Sequence, residues 1–93
     1  MGGITRWPQL GDLRRVVLTK PGVQMWLFGS ALTSHRPADL DVLLVYCDLD
    51  DIEAIRSAHA WAEEIPPINI IAMTAQEESD YAFVRGVHAH RML

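Results

Sequence analysis

Asp39-Leu40-Asp41-Val42-Leu43-Leu44-Val45-Tyr46 is the stretch whose reading decides the fold. The apolar run that starts at Val42 continues to Cys47 without a break. A short run of this kind, bounded by polar residues, reads as a strand over Leu40 to Cys47, buried on both faces and so central in its sheet. Within a strand, residues two apart project to the same side, so Asp39 and Asp41 are expected to face the same way. Carboxylates held together at the head of a buried strand repel each other and lose hydration. That is costly unless a cation or a hydrogen-bond donor lies between them. Mg²⁺ takes oxygen ligands, often one or two carboxylates with the remainder from substrate phosphates. Asp39 and Asp41 are therefore the candidate metal ligands, for Mg²⁺ or Mn²⁺.

Working outward, Val23 to Phe28 predicts a second strand ending at Gly29, and Ser30 to Ala38 a loop or short helical turn closed by Pro37. Upstream, Leu10, Leu13, Val16, Val17 and Lys20 fall at helical spacing and predict a helix over 9–20, with Pro8 ahead of it and Pro21-Gly22 behind. Downstream, Asp48, Asp50 and Asp51 suit the start of a helix, where acidic groups meet free amides and the positive end of the helix dipole. Its inner stripe is expected at Ile52, Ile55, Ala58, Ala62 and Ile65, ended by Pro66-Pro67. Ile68 to Met73 predicts a third strand. Thr74 with Glu77 fits a capping box opening a helix over 75–83. The tail from Val84 to Leu93 fits a last edge strand, on which His88 and His90 would share a face. The expected fold is α/β (α+β): a single domain over 1–93, with a small mixed sheet of three to four strands and helices packed on it.

The chain has 93 residues and a formal net charge of −4. A domain of this length buries about 60–65% of the surface it exposes when unfolded, so its core is modest. The charge argues against non-specific duplex nucleic-acid binding, which needs a dense Lys/Arg footprint. It leaves room for a nucleotide held through a cation, which supplies the missing positive charge. Cys47 is the one cysteine, so no internal disulfide forms, and it is expected to be a packed thiol. The first residues lack the layout of a signal peptide, and no apolar run is long enough to span a bilayer, so the expected compartment is the cytoplasm without membrane attachment.

Three parts carry candidate chemistry. Gly29-Ser30 ends one strand, Asp39-x-Asp41 opens its neighbour, and the loop between holds His35 and Arg36. Glycine lets the backbone approach an anion closely, and the amides after it can form a concave anion cradle. The Ser30 hydroxyl adds a donor, and Arg36 is a candidate phosphate clamp.

Phe28-Gly29-Ser30…Asp39-Leu40-Asp41-Val42 resembles the signature of the polymerase-beta-like nucleotidyltransferase superfamily, and is most similar to the minimal nucleotidyltransferases, small prokaryotic proteins. The resemblance covers most of the chain. It implies that Gly29 and Ser30 hold the phosphates of a nucleoside triphosphate, ATP first among them. It implies that Asp39 and Asp41 bind divalent cations that orient the nucleotide, activate the acceptor hydroxyl and stabilise the leaving pyrophosphate. The implied activity is transfer of a nucleoside monophosphate to a protein or small-molecule acceptor.

Two departures stand out. Eight residues separate Ser30 from Asp39, slightly fewer than the family's usual span. Active members also carry a third carboxylate on the next strand, where this chain has Asn69, a neutral and weaker ligand that cannot act as a base. The alternative is thus a catalytically impaired binding module on the same fold. A chain this short has no second domain to hold an acceptor, so a protein partner or homodimer would complete the cleft. The resemblance implies an antitoxin-like role beside a helical toxin as one form of such a partnership. Trp7, Trp26 and Trp61 read as core or interface aromatics, with Trp61 the candidate for partner contact.

Overall fold

The strand predicted over Leu40 to Cys47 sits inside the sheet, and Val42, Leu43 and Leu44 are wholly buried. A computed structural model of the chain describes residues 7–34, 36–58 and 65–93, with Ser30 described by its backbone alone. The elements run in the order α1 (Pro8–Leu18), β1 (Gln24–Phe28), a 3-10 turn (Gly29–Leu32), β2 (Leu40–Tyr46), α2 (Leu49–Ala58), β3 (Ile68–Thr74), α3 (Ala75–Tyr81), α4 (Phe83–Gly86) and β4 (His90–Arg91). The four strands lie in the order β3-β2-β1-β4. β1 is antiparallel to both β2 and β4, whereas β2 and β3 are parallel, joined by a crossover that contains α2. The fold is a small α+β domain with a mixed sheet and four helices packed on it.

Strand alternation divides the apolar side chains between two layers. Met25, Leu27, Leu40, Val42 and Leu44 pack with Leu10, Leu13 and Val17 of α1 and with Ile52 and Ile55 of α2. Phe28, Leu43 and Val45 point the other way, towards Phe83, Val84 and Val87 of the α4 segment. The first layer is the larger of the two. The second has one short helix and a turn over it, and most of its members are half-buried.

Gln9 is the buried polar residue of the first layer, at 1% exposure. Its Nε2 donates to the Pro66 carbonyl at 2.8 Å. Next to it in sequence, the Pro67 carbonyl accepts from the Leu40 amide at 2.8 Å. Together these bonds tie the entry of β3 to α1 and to the head of β2. Gln9→Ala removes a buried donor and leaves the Pro66 carbonyl unpaired, which costs about 1–3 kcal/mol. A fall in urea midpoint without a change in slope is the expected measurement; an unchanged midpoint contradicts it.

Several expectations need correction. α1 ends at Leu18, so Lys20 lies outside it. Ala58 is exposed and Ile65, at 89% exposure, lies in a bend outside any helix, so neither belongs to the inner stripe of α2. Ala62 and Trp61 fall outside the described residues. The predicted helix over 75–83 breaks at Ala82, which takes a left-handed conformation (φ 49°, ψ 44°) and separates α3 from α4. The tail is mostly helical turn, and β4 is two residues long. His88 sits in the turn at φ 53°, not in a strand, so it does not alternate with His90 on one strand face. Cys47 is exposed, because β2 ends at Tyr46 and Cys47 falls in the bend beyond it.

The capping expectations are met. Thr74 Oγ1 accepts from the Glu77 amide, and Glu77 Oε1 accepts from the Thr74 amide, forming a capping box at α3. Asp48 Oδ1 accepts from the Asp50 amide at 3.0 Å at the head of α2. Trp7 is buried and Trp26 half-buried. Among the described residues, no helix is long and apolar enough to cross a membrane.

Candidate functional site

The two halves of the motif meet because β1 and β2 are antiparallel neighbours. Phe28, the last residue of β1, pairs with Asp41, and Asp41 pairs on its other side with Asn69 of β3. By alternation Asn69, Asp41 and Phe28 form one row across the thinly covered face of the sheet. Ile71, Leu43 and Trp26 form the next row inward. The candidate site is thus a polar row at the open end of an apolar face.

Gly29 follows directly and turns the chain out of the sheet. It adopts φ +76°, the left-handed region that glycine enters without a steric penalty. A Cβ at Gly29 would collide with Asp41 Oδ2 and would lie 3.3 Å from its Cγ. The Asp41 carboxylate therefore rests on the bare backbone of Gly29. Its other oxygen, Oδ1, accepts from Asn69 Nδ2 at 3.2 Å. Asp41 is half-buried and Asn69 exposed.

Asp39 lies in the bend just ahead of β2, which begins at Leu40. The strand begins at Leu40, as expected, so strand alternation fixes the direction of Asp41 but does not by itself make Asp39 face the same way. Asp39 is half-buried. Ser30 is the second residue of the 3-10 turn that opens at Gly29. Arg36 is exposed in the loop, and its amide donates to Ser34 Oγ at 3.1 Å. His35 lies outside the described residues.

The donor set has the chemistry of a hard cation. It offers the carboxylate oxygens of Asp41 and the amide oxygen of Asn69 once that amide turns over, with Asp39 two residues ahead of Asp41 in the chain. The space that a Cβ would fill at Gly29 is taken by the Asp41 carboxylate, which keeps that group at the mouth of the turn. Among the described residues, no three His, Cys, Asp or Glu side chains gather into a metal-holding group. A cation at Asp41 would take most of its ligands from water and phosphate, as Mg²⁺ often does with a nucleotide.

Phe83 was not singled out from the sequence. It packs edge-on against Phe28, with ring centroids 5.2 Å apart and planes at 88°, and so walls the apolar side of the site. The Arg91 guanidinium lies 5.6 Å from the centre of the Trp26 ring. Neither carries a local sequence signal, since both reach the site face only through the left-handed break at Ala82 and the short pairing of β4 with β1. Comparison with known proteins yields no match, whether to a family model, a curated protein or a solved structure.

Proposed function

We propose that this protein is a Mg²⁺-dependent nucleotidyltransferase of the minimal type, which moves a nucleoside monophosphate from a nucleoside triphosphate to an acceptor hydroxyl. The observation that carries this reading is the Asp41 carboxylate lying on the left-handed Gly29 turn that opens the Gly-Ser corner. An acidic group and a bare backbone turn are brought together by neighbouring strands, as a cation-bridged triphosphate requires. Gly29 and Ser30 would receive the phosphates on backbone amides, and exposed Arg36 would supply a positive charge from the loop. Asp39 and Asp41 would hold Mg²⁺, which when bound neutralises charge that develops on the pyrophosphate.

In the transfer, the acceptor oxygen bonds to the α-phosphorus. The bond from that phosphorus to the α–β bridging oxygen breaks, and pyrophosphate leaves. The hydroxyl proton passes to solvent, because Asn69 has no basic site to receive it. A protein partner or a second copy would present the acceptor.

A second reading is favoured by one contact, the hydrogen bond from Asn69 to Asp41. It satisfies a carboxylate oxygen with a neutral amide where active enzymes place an acid, which fits a binding module that acts through a partner, antitoxin-like, without turnover. Titration calorimetry with ATP, GTP, CTP and UTP in Mg²⁺ separates the readings from an empty fold. Wild type is expected to bind at least one triphosphate, and Asp41→Asn to weaken it by about tenfold or more, which is about 1.4 kcal/mol. Absence of binding to all four by the wild type overturns both the catalytic reading and the nucleotide site.

A further inference from the structure

The two edges of the sheet are unlike. The β4 edge is two residues long, His90 and Arg91, both exposed. Short, charged edge strands resist pairing with other chains. The opposite edge is β3, seven residues reading Ile-Asn-Ile-Ile-Ala-Met-Thr, without a charge or a proline. Among the described residues, its one strand partner is β2.

β3 has the composition of an interior strand. Parallel strands that are apolar on both faces ordinarily lie inside a sheet, covered from both sides. β2 fits that rule, with Val42, Leu43 and Leu44 wholly buried. Ile68, Ile70, Ile71, Ala72 and Met73 are equally apolar yet only half-buried, on both faces, and among the described residues no strand lies beside β3 on its outer edge. Ile65, at 89% exposure, and Tyr81, at 72%, stand beyond the two ends of the strand in sequence.

We propose that β3 pairs with β3 of a second copy of this chain, antiparallel about a two-fold axis at Ile71. Two four-stranded sheets would then become one of eight. A two-fold interface must be complementary to itself. This register sets Ile71 against Ile71 and Ile70 against Ala72 at its centre, with Asn69 against Met73 and Ile68 against Thr74 towards its ends, so apolar groups meet over the middle of the seam. The chain carries a net charge of −4, yet the strand has no ionisable residue, so no like charges face each other along the seam. Antiparallel pairing also brings the Ile65 end of one copy beside the Tyr81 end of the other. The inference rests on the sheet edges and is independent of the nucleotidyltransferase reading.

Sedimentation velocity of the full chain at micromolar concentration tests it, together with Met73→Lys, which places a charge on the edge. The expected result is a two-chain mass for the wild type and a one-chain mass for Met73→Lys, with the variant's circular dichroism unchanged. Hydrogen exchange supplies a readout that needs no variant. Alternate amides within 68–74 should be protected at high concentration and lose that protection on dilution. A wild type that sediments as one chain overturns the proposal. So does a dimer that survives Met73→Lys, or one in which the β3 amides exchange at the same rate at every concentration. If Met73→Lys fails to fold, the exchange measurement alone decides.

Discussion

Gly29→Ala is expected to lower stability by about 2–5 kcal/mol, the sum of a left-handed backbone penalty of about 1–2 kcal/mol and an overpacking cost of about 1–3 kcal/mol. Both contributions have a visible cause. The backbone sits at φ +76°, and the added methyl would occupy the position of Asp41 Oδ2. To make room, the Asp41 carboxylate would have to swing off the turn and away from its bond to Asn69. The turn is fixed by the end of β1, and pairing with Phe28 and Asn69 fixes the Asp41 backbone, so only its side chain can move. For a domain of this size the loss corresponds to a fall in Tm of about 8 °C or more. Gly11→Ala is the control. Gly11 lies within α1, and a methyl added there would meet nothing within 4 Å. Replacing this helix-interior glycine should raise stability by about 0.5–1 kcal/mol. Thermal unfolding of the two variants should thus move in opposite directions. A Gly29→Ala protein as stable as the wild type would mean that the carboxylate does not rest on that turn.

Most of the fold is legible in the sequence because its strongest signals are local. The Val42–Val45 run, the Leu10/Leu13/Val17 spacing, the Ile52/Ile55 pair and the Thr74/Glu77 box each specify an element without help from the rest of the chain. The misreadings all fall where tertiary context decides. Ile65 reads as the last turn of a helical stripe, but the chain must leave that direction to enter β3. Phe83 reads as the end of α3, but a left-handed residue at Ala82 redirects it onto Phe28. Cys47 reads as packed because its five predecessors are apolar, yet burial stops where the strand stops. Gln9 gives no signal, since nothing local tells a buried glutamine from a solvated one until the Pro66 carbonyl lies opposite it.

The site is legible in the same uneven way. Gly29-Ser30 and Asp39-x-Asp41 can be placed side by side only on the assumption that their strands are neighbours, and the antiparallel pairing of β1 with β2 supplies that. The cross-strand position of Asn69 follows from the apolar pattern of Ile68 to Met73, and the register puts it opposite Asp41. Its hydrogen bond cannot be read from the sequence.

Asn69→Asp is expected to turn this contact from attraction into repulsion, and to make stability depend on divalent cation. The substitution replaces a donor 3.2 Å from Asp41 Oδ1 with a second carboxylate. Two unit charges at about 4 Å repel by about 1 kcal/mol in bulk water and about 4 kcal/mol at an effective dielectric near 20. Asn69 is exposed and Asp41 half-buried, so the cost falls towards the lower figure. Without divalent cation the variant should therefore melt below the wild type. A cation held between the carboxylates removes the repulsion, and a ligand at about one hundred times its Kd stabilises by about 2.7 kcal/mol. Mg²⁺ should raise the variant's Tm by more than it raises that of the wild type, and an Mg²⁺ titration should give the tighter Kd for the variant. If Mg²⁺ shifts the two proteins equally, Asp41 does not face a cation position and the nucleotidyltransferase reading loses its centre. If the variant gains both Mg²⁺ affinity and nucleotidyl transfer that the wild type lacks, Asn69 is the residue that separates a binding module from an enzyme on this fold.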